Sequence, residues 1–155
     1  MAGRIATRLA ELGIQLPRPS TPAANYVPFV IVGNIAFISG QVTIQEGKLA
    51  YTGKVGSELT IDEGYQAARI CGLNLIAQLR EACGGNLDRM RRVVKLGGFV
   101  NSAPDFKDHP KVINGASDLM VEIFGDAGRH ARCAVGAPSL PSGTAVEVDG
   151  IFEIT

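Results

Sequence analysis

Apolar residues at Ile5, Leu9 and Leu12 recur at helical spacing and predict a short amphipathic helix over residues 4–13. The segment LPRPSTPAAN follows, and its three prolines forbid a helix interior, so residues 16–25 are expected as an extended arm lying on the domain. Residues 29–39, FVIVGNIAFIS, hold two β-rich runs broken by Gly33-Asn34 and read as a hairpin of buried strands. Between residues 42 and 57 the pattern gives only a weak strand or an irregular loop. Thr60 and Glu63 then form a capping box, in which a hydroxyl and a carboxylate satisfy free amides at a helix start. Behind it Ala68, Cys71, Leu75, Ile76, Leu79, Ala82 and Cys83 repeat at steps of three and four, marking one long helix stopped by Gly84-Gly85.

The run from Arg92 to Val100 reads as a strand, with glycines that hint at a bulge or a close approach. A second long helix is expected from Pro110 to Phe124, its core stripe made by Val112, Ile113, Ala116, Leu119, Met120 and Ile123. Two strands close the chain, residues 131–137 and 144–154, joined by the turn PSLPSG and expected to pair as a hairpin. This order, strands mixed with two helices long enough to cover one sheet face, implies an α+β fold with the helices on one side. A subunit partner is the economical cover for the other face, so an oligomer is expected.

Composition narrows the functions. The chain has 155 residues and equal numbers of basic and acidic side chains, 15 of each, so it lacks the surplus of positive charge that phosphate-gripping proteins carry. The cluster Arg89 to Lys95 is expected as a solvated face, and nucleic acid is a disfavoured partner. No apolar run is long enough for a membrane span, and the N-terminal residues lack a secretory pattern, which makes the cytoplasm the expected compartment. Three cysteines without a C-x-x-C pair argue against a disulfide framework, and His109 and His130 have no metal-ligand spacing; neither metal nor cofactor is expected.

The chemistry-bearing pattern lies near the C terminus. In the strand from His130 to Ala137, alternation puts Ala131, Cys133, Val135 and Ala137 on one face, which suits a core, and Arg132, Ala134 and Gly136 on the other. An arginine beside two very small residues has space next to it for a carboxylate, or for a salt bridge at a subunit interface. On the last strand Glu147 and Asp149 share a face, and a hairpin would bring them to the side of Arg132, either to hold a water and shuttle a proton or as solvated acids. Tyr26, Ser39, Asn101 and Asn114 are polar groups near predicted element ends.

Four stretches resemble the RidA (YjgF) family of enamine and imine deaminases, which carries the older label endoribonuclease L-PSP. They are Tyr26-Val-Pro with Val32 to Gln41; Gly84 to Asp88 into Val93-Val-Lys; Phe106 through Val112-Ile-Asn114; and Ala131-Arg-Cys-Ala-Val with Leu140-Pro141 and Val146-Glu147-Val148. They occur in family order. The resemblance implies a chorismate-mutase-like single domain over residues 23–155, a mixed β-sheet with two helices on one face, with residues 1–22 as an N-terminal helix and proline-rich arm. It also implies a homotrimer with sites at subunit interfaces. In such a site Arg132 would anchor the carboxylate of a small metabolite, Glu147 would orient the attacking water, and Tyr26, Ser39 and Asn114 would line the pocket. The implied reaction turns an enamino acid into an imine, adds water to the imine carbon and releases ammonia, leaving a 2-keto acid. Many active members carry cysteine two residues after the arginine, where this chain has Ala134; Cys133 falls on the opposite strand face and is not carried over as a site residue. Two other readings stand beside this one: a non-catalytic binder or sensor of small carboxylates using the same pocket, and a ribonuclease, which zero net charge and the lack of a histidine pair disfavour.

Overall fold

The computed structural model describes residues 3–155. Helix α1 spans Arg4–Glu11. Its Ile5 and Leu9 are buried in the same core as the rest of the chain. No residue of its own caps it; instead the Asp88 carboxylate accepts from the Arg4 and Ile5 amides at 2.9 and 2.8 Å, satisfying two free donors at the helix start. The arm follows without regular structure up to Val27 and is tied down where the Gln78 side chain donates to the Ser20 carbonyl.

Strands β1 (Phe29–Val32) and β2 (Ile35–Gln41) form the expected hairpin, with Gly33 at φ +61° in the turn, but β1 is not the buried strand expected: it lies at the sheet edge, and its Val30, Ile31 and Val32 are exposed. Residues 42–57 contain a two-residue hairpin, β3 (Ile44–Gln45) and β4 (Lys48–Leu49). Helix α2 (Ile61–Ala82) starts at the capping box, Thr60 and Glu63 bonding each other reciprocally. Strand β5 (Met90–Asn101), helix α3 (His109–Phe124), strand β6 (Ala131–Ala137) and strand β7 (Val146–Ile154) complete the chain.

The five-stranded sheet has the order β1-β2-β7-β5-β6. Neighbours are antiparallel except β5 and β6, whose crossover is α3. The last two strands therefore do not pair as a hairpin: β5 lies between them. Residues 138–145 step past β5 and are held by loop 51–53, where Ala145 donates to the Tyr51 carbonyl and Gly53 to that of Gly143.

Both long helices cover one sheet face. Val93, Leu96 and Val100 of β5 and Val146, Val148, Phe152 and Ile154 of β7 pack against Leu75, Ile76, Leu79, Ile113 and Leu119. Glycines permit the tight layers. A Cβ on Gly98 would stand 2.6 Å from Ile113 Cγ1, and one on Gly115 would fall on the Tyr65 carbonyl oxygen where α3 crosses α2. On β6 the expected faces are reversed. Arg132, Ala134 and Gly136 turn toward the helix layer, whereas Cys133 and Val135 point to the uncovered face, where Val135 is 43% exposed. Alternation defines two faces; which one meets the helices depends on the register of β6 against β5, and that register aligns Arg132 with the buried Leu96.

Candidate active site

The half-buried Arg132 lies on the edge strand, facing α3. Its Nη1 donates to Asn114 Oδ1 at 2.8 Å and to Ser117 Oγ at 3.1 Å. Asn114 and Ser117 are one helical turn apart, so both stand on the α3 face turned to β6. No carboxylate lies within ion-pair distance of Arg132 among the described residues. Neutral acceptors thus occupy one guanidinium nitrogen, and the Nε–H and Nη2–H edge, the fork that takes a carboxylate side-on, has no hydrogen-bond partner among the described residues.

A second group of residues gathers elsewhere. Tyr26, Ser39, Gln41 and Glu147 line a cavity of about 390 Å³ that the arm residues Ser20 to Ala23 close on one side. Ser39 is fixed by donating to the Val27 carbonyl at 2.8 Å. The Glu147 carboxylate makes no hydrogen bond among the described residues, and it sits where Gly40 lacks a side chain: a Cβ there would stand 3.0 Å from its Cδ. Partial burial raises the affinity of its carboxylate for protons above the ordinary value, and the neighbouring Asp149 adds to the shift. A carboxylate so placed is suited to taking and returning a proton.

The two groups do not meet within one chain. Arg132 is level with Leu96 on β5, and Glu147 is level with Phe99 of the same strand, an odd number of residues away. They therefore project from opposite sheet faces, separated by β5, with strand axes about 9–10 Å apart. The expectation that Glu147 and Asp149 share a face with Arg132 fails for this reason. Asp149 instead lines the uncovered face with Lys95, Phe99 and Cys133, in a cleft of about 500 Å³ where Gly97 leaves room for its carboxylate.

A family model described as "YjgF/chorismate_mutase-like, putative endoribonuclease" matches residues 6–152. The chain belongs to the YjgF (RidA) family. Among YjgF relatives, a Trypanosoma cruzi protein named TCP17 is 49% identical over 99% of this chain and 96% of its own length. A 2-iminobutanoate/2-iminopropanoate deaminase of Dermatophagoides farinae is 31% identical over 91% of this chain and 94% of its own. The crystal structure of an Agrobacterium tumefaciens protein of unknown function superimposes with a TM-score of 0.91 at 48% identity, covering 97% of this chain and 92% of that one.

Of the residues marked in the sequence, the YjgF fold brings Arg132 to Asn114, and Tyr26 and Ser39 to Glu147. Asn101 serves the framework, accepting from Lys54 Nζ and donating to the Thr144 carbonyl. Ser117 and Gln41, unmarked in the sequence, join the two groups. Ser117 had a usable signal, its i+3 spacing from Asn114; Gln41 had none, because the irregularity at the end of β2 that places it is a property of strand pairing.

Proposed function

We propose that this protein hydrolyses small, carboxylate-bearing enamine or imine metabolites to 2-keto acids and ammonia, at sites assembled between copies of the chain in a homotrimer. The observation that carries the reading is the Arg132 guanidinium, held by neutral partners with its carboxylate-binding edge open. The D. farinae deaminase supports the choice of reaction. Support for the assembly comes from the opposite-face placement of Arg132 and Glu147 and from the uncovered sheet face, which exposes Val30, Phe37 and Val135. Apolar area of this kind is stabilised by burial against another subunit.

In this reading the substrate carboxylate docks on Arg132 and the imine carbon projects toward Glu147 of the adjoining copy. Glu147 accepts a proton from water as its oxygen bonds to the imine carbon. It gives that proton to the imine nitrogen, then takes the hydroxyl proton of the carbinolamine as the C=O bond forms and passes it to the same nitrogen, so that the C–N bond breaks and ammonia departs. Fixing the anion and placing one water accelerate an intrinsically easy hydrolysis by orientation, and general acid–base assistance contributes about 10²–10⁴-fold. Ala134 fits this scheme, because water rather than a thiolate is the nucleophile.

The test is 2-keto acid and ammonia formation from 2-iminobutanoate generated in situ. Wild type should accelerate it and Arg132→Ala should not. Equal behaviour of the two proteins across several imino acids rejects the reading. Carboxylate-dependent thermal stabilisation without turnover would indicate a binder instead.

A further inference from the structure

Behind Ser117 the structure holds a further side chain that takes no part in the family resemblance. His130 Nε2 lies 2.9 Å from Ser117 Oγ, and its Nδ1 lies 2.6 Å from the Gly128 carbonyl oxygen. We propose that His130 is a positioning residue for Arg132, acting through Ser117 to hold the guanidinium in the pose that receives the substrate carboxylate. The proposal rests on the function proposed above.

The direction of the chain follows from its fixed end. A backbone carbonyl only accepts, so Nδ1 carries the hydrogen, and in the neutral ring Nε2 is then an acceptor. The Ser117 hydroxyl must donate to it. That leaves the serine lone pairs for Arg132 Nη1, which donates to Ser117 at 3.1 Å and to Asn114 Oδ1 at 2.8 Å. Every hydrogen of the relay therefore has one partner, and the guanidinium plane is fixed by two neighbours, one of which is itself oriented. Without His130 the Ser117 hydroxyl can rotate and donate elsewhere.

Local structure builds the relay. Gly125, at φ +61°, ends α3 in a conformation that other residues rarely adopt. The chain then turns tightly beneath the helix through residues 125–128. It can lie so close only because Gly128 has no side chain: a Cβ there would fall on the Met120 carbonyl oxygen. This fixes the Gly128 carbonyl, and two residues later His130 enters the strand below Ser117, with Arg132 next on the same strand face.

The experiment measures 2-oxobutanoate binding by titration calorimetry, together with KM and kcat for imine hydrolysis, in wild type, His130→Phe, His130→Gln and Ser117→Ala. His130→Phe and Ser117→Ala should each weaken carboxylate binding and raise KM about tenfold, the effect of one hydrogen bond, with kcat within about twofold of wild type. Gln, whose amide supplies both a donor and an acceptor, should restore most of the loss. In an Arg132→Ala background His130→Phe should have no further effect on binding, since two residues acting through one group are not additive. The Arg132 Nε–H resonance gives a ligand-free readout, sharp in wild type and broadened in His130→Phe. Wild type that binds the carboxylate while His130→Phe and Ser117→Ala bind it equally well, with an unchanged Nε–H signal, overturns the proposal. Wild type that binds no carboxylate removes the function on which it rests.

Discussion

If Arg132 and Glu147 of one site come from different subunits, two inactive variants should rescue each other. Arg132→Ala removes a fork of two charge-assisted hydrogen bonds to the substrate carboxylate, worth about 3–6 kcal/mol together. At about 1.4 kcal/mol per decade this is a loss of roughly 10²–10⁴ in kcat/KM. Glu147→Gln removes the proton carrier and should cost about 10²–10⁴ in kcat. Co-expressing the two variants in equal amounts gives mixed oligomers. A boundary is competent when its arginine comes from the Glu147→Gln chain and its glutamate from the Arg132→Ala chain, which random mixing provides at about a quarter of boundaries. Differently tagged chains allow mixed oligomers to be isolated by sequential affinity steps and assayed for ammonia release. In isolated mixed trimers one boundary in three is competent, so the expected rate is about a third of wild type, far above either variant alone. Isolated mixed oligomers no more active than the single variants would refute the division of the site, which follows from the sheet faces.

Other consequences are testable in the same preparations. Arg132→Lys keeps the charge but offers a point donor in place of the planar fork; its kcat/KM for imino acids should fall about 10–100-fold, whereas a substrate analogue with a carboxamide should lose less. Burial and Asp149 raise the proton affinity of folded Glu147, so the folded state binds protons more tightly than the unfolded chain, and its stability declines as pH rises through the raised value. Glu147→Gln should therefore raise the melting temperature at neutral pH, a gain that vanishes below the ordinary carboxylate range. Asp88 shows the opposite sign: the Ile5 and Arg4 amides hold its carboxyl below the usual value. Docking of α1 should thus weaken as pH falls through that lowered value, and Asp88→Ala should raise amide exchange in Arg4–Glu11 selectively. Gly115→Ala pushes a Cβ into the Tyr65 carbonyl and toward the Arg69 amide, so α2 and α3 must separate. The cost is about 3 kcal/mol, seen as a melting temperature lower by about 6–12 °C.

How far the sequence reaches depends on which interactions set each feature. The capping box at Thr60, the turn at Gly33 and the stripes of α2 and α3 are local. Each depends on residues within a few positions, and the structure has them where spacing predicts them. The candidate site was legible as a set of residue types: an arginine beside small neighbours and a glutamate on an alternating strand. Their arrangement was not, because strand adjacency is settled by the chain between them. Helix α3 carries β6 back parallel to β5, so β5, rather than a hairpin turn, separates the two residues.

The sequence by itself therefore determined the elements, the family and the identity of the anionic and cationic side chains, since these rest on period, capping and local motif. Only the tertiary structure decided that Cys133 and Val135 face outward, that Arg132 leans on Asn114 and Ser117, and that Glu147 looks the other way. A strand has two faces of equal standing until another layer covers one. The covering layer here is brought in by contacts distant along the chain, such as Ile113 over Gly98, which no local pattern contains.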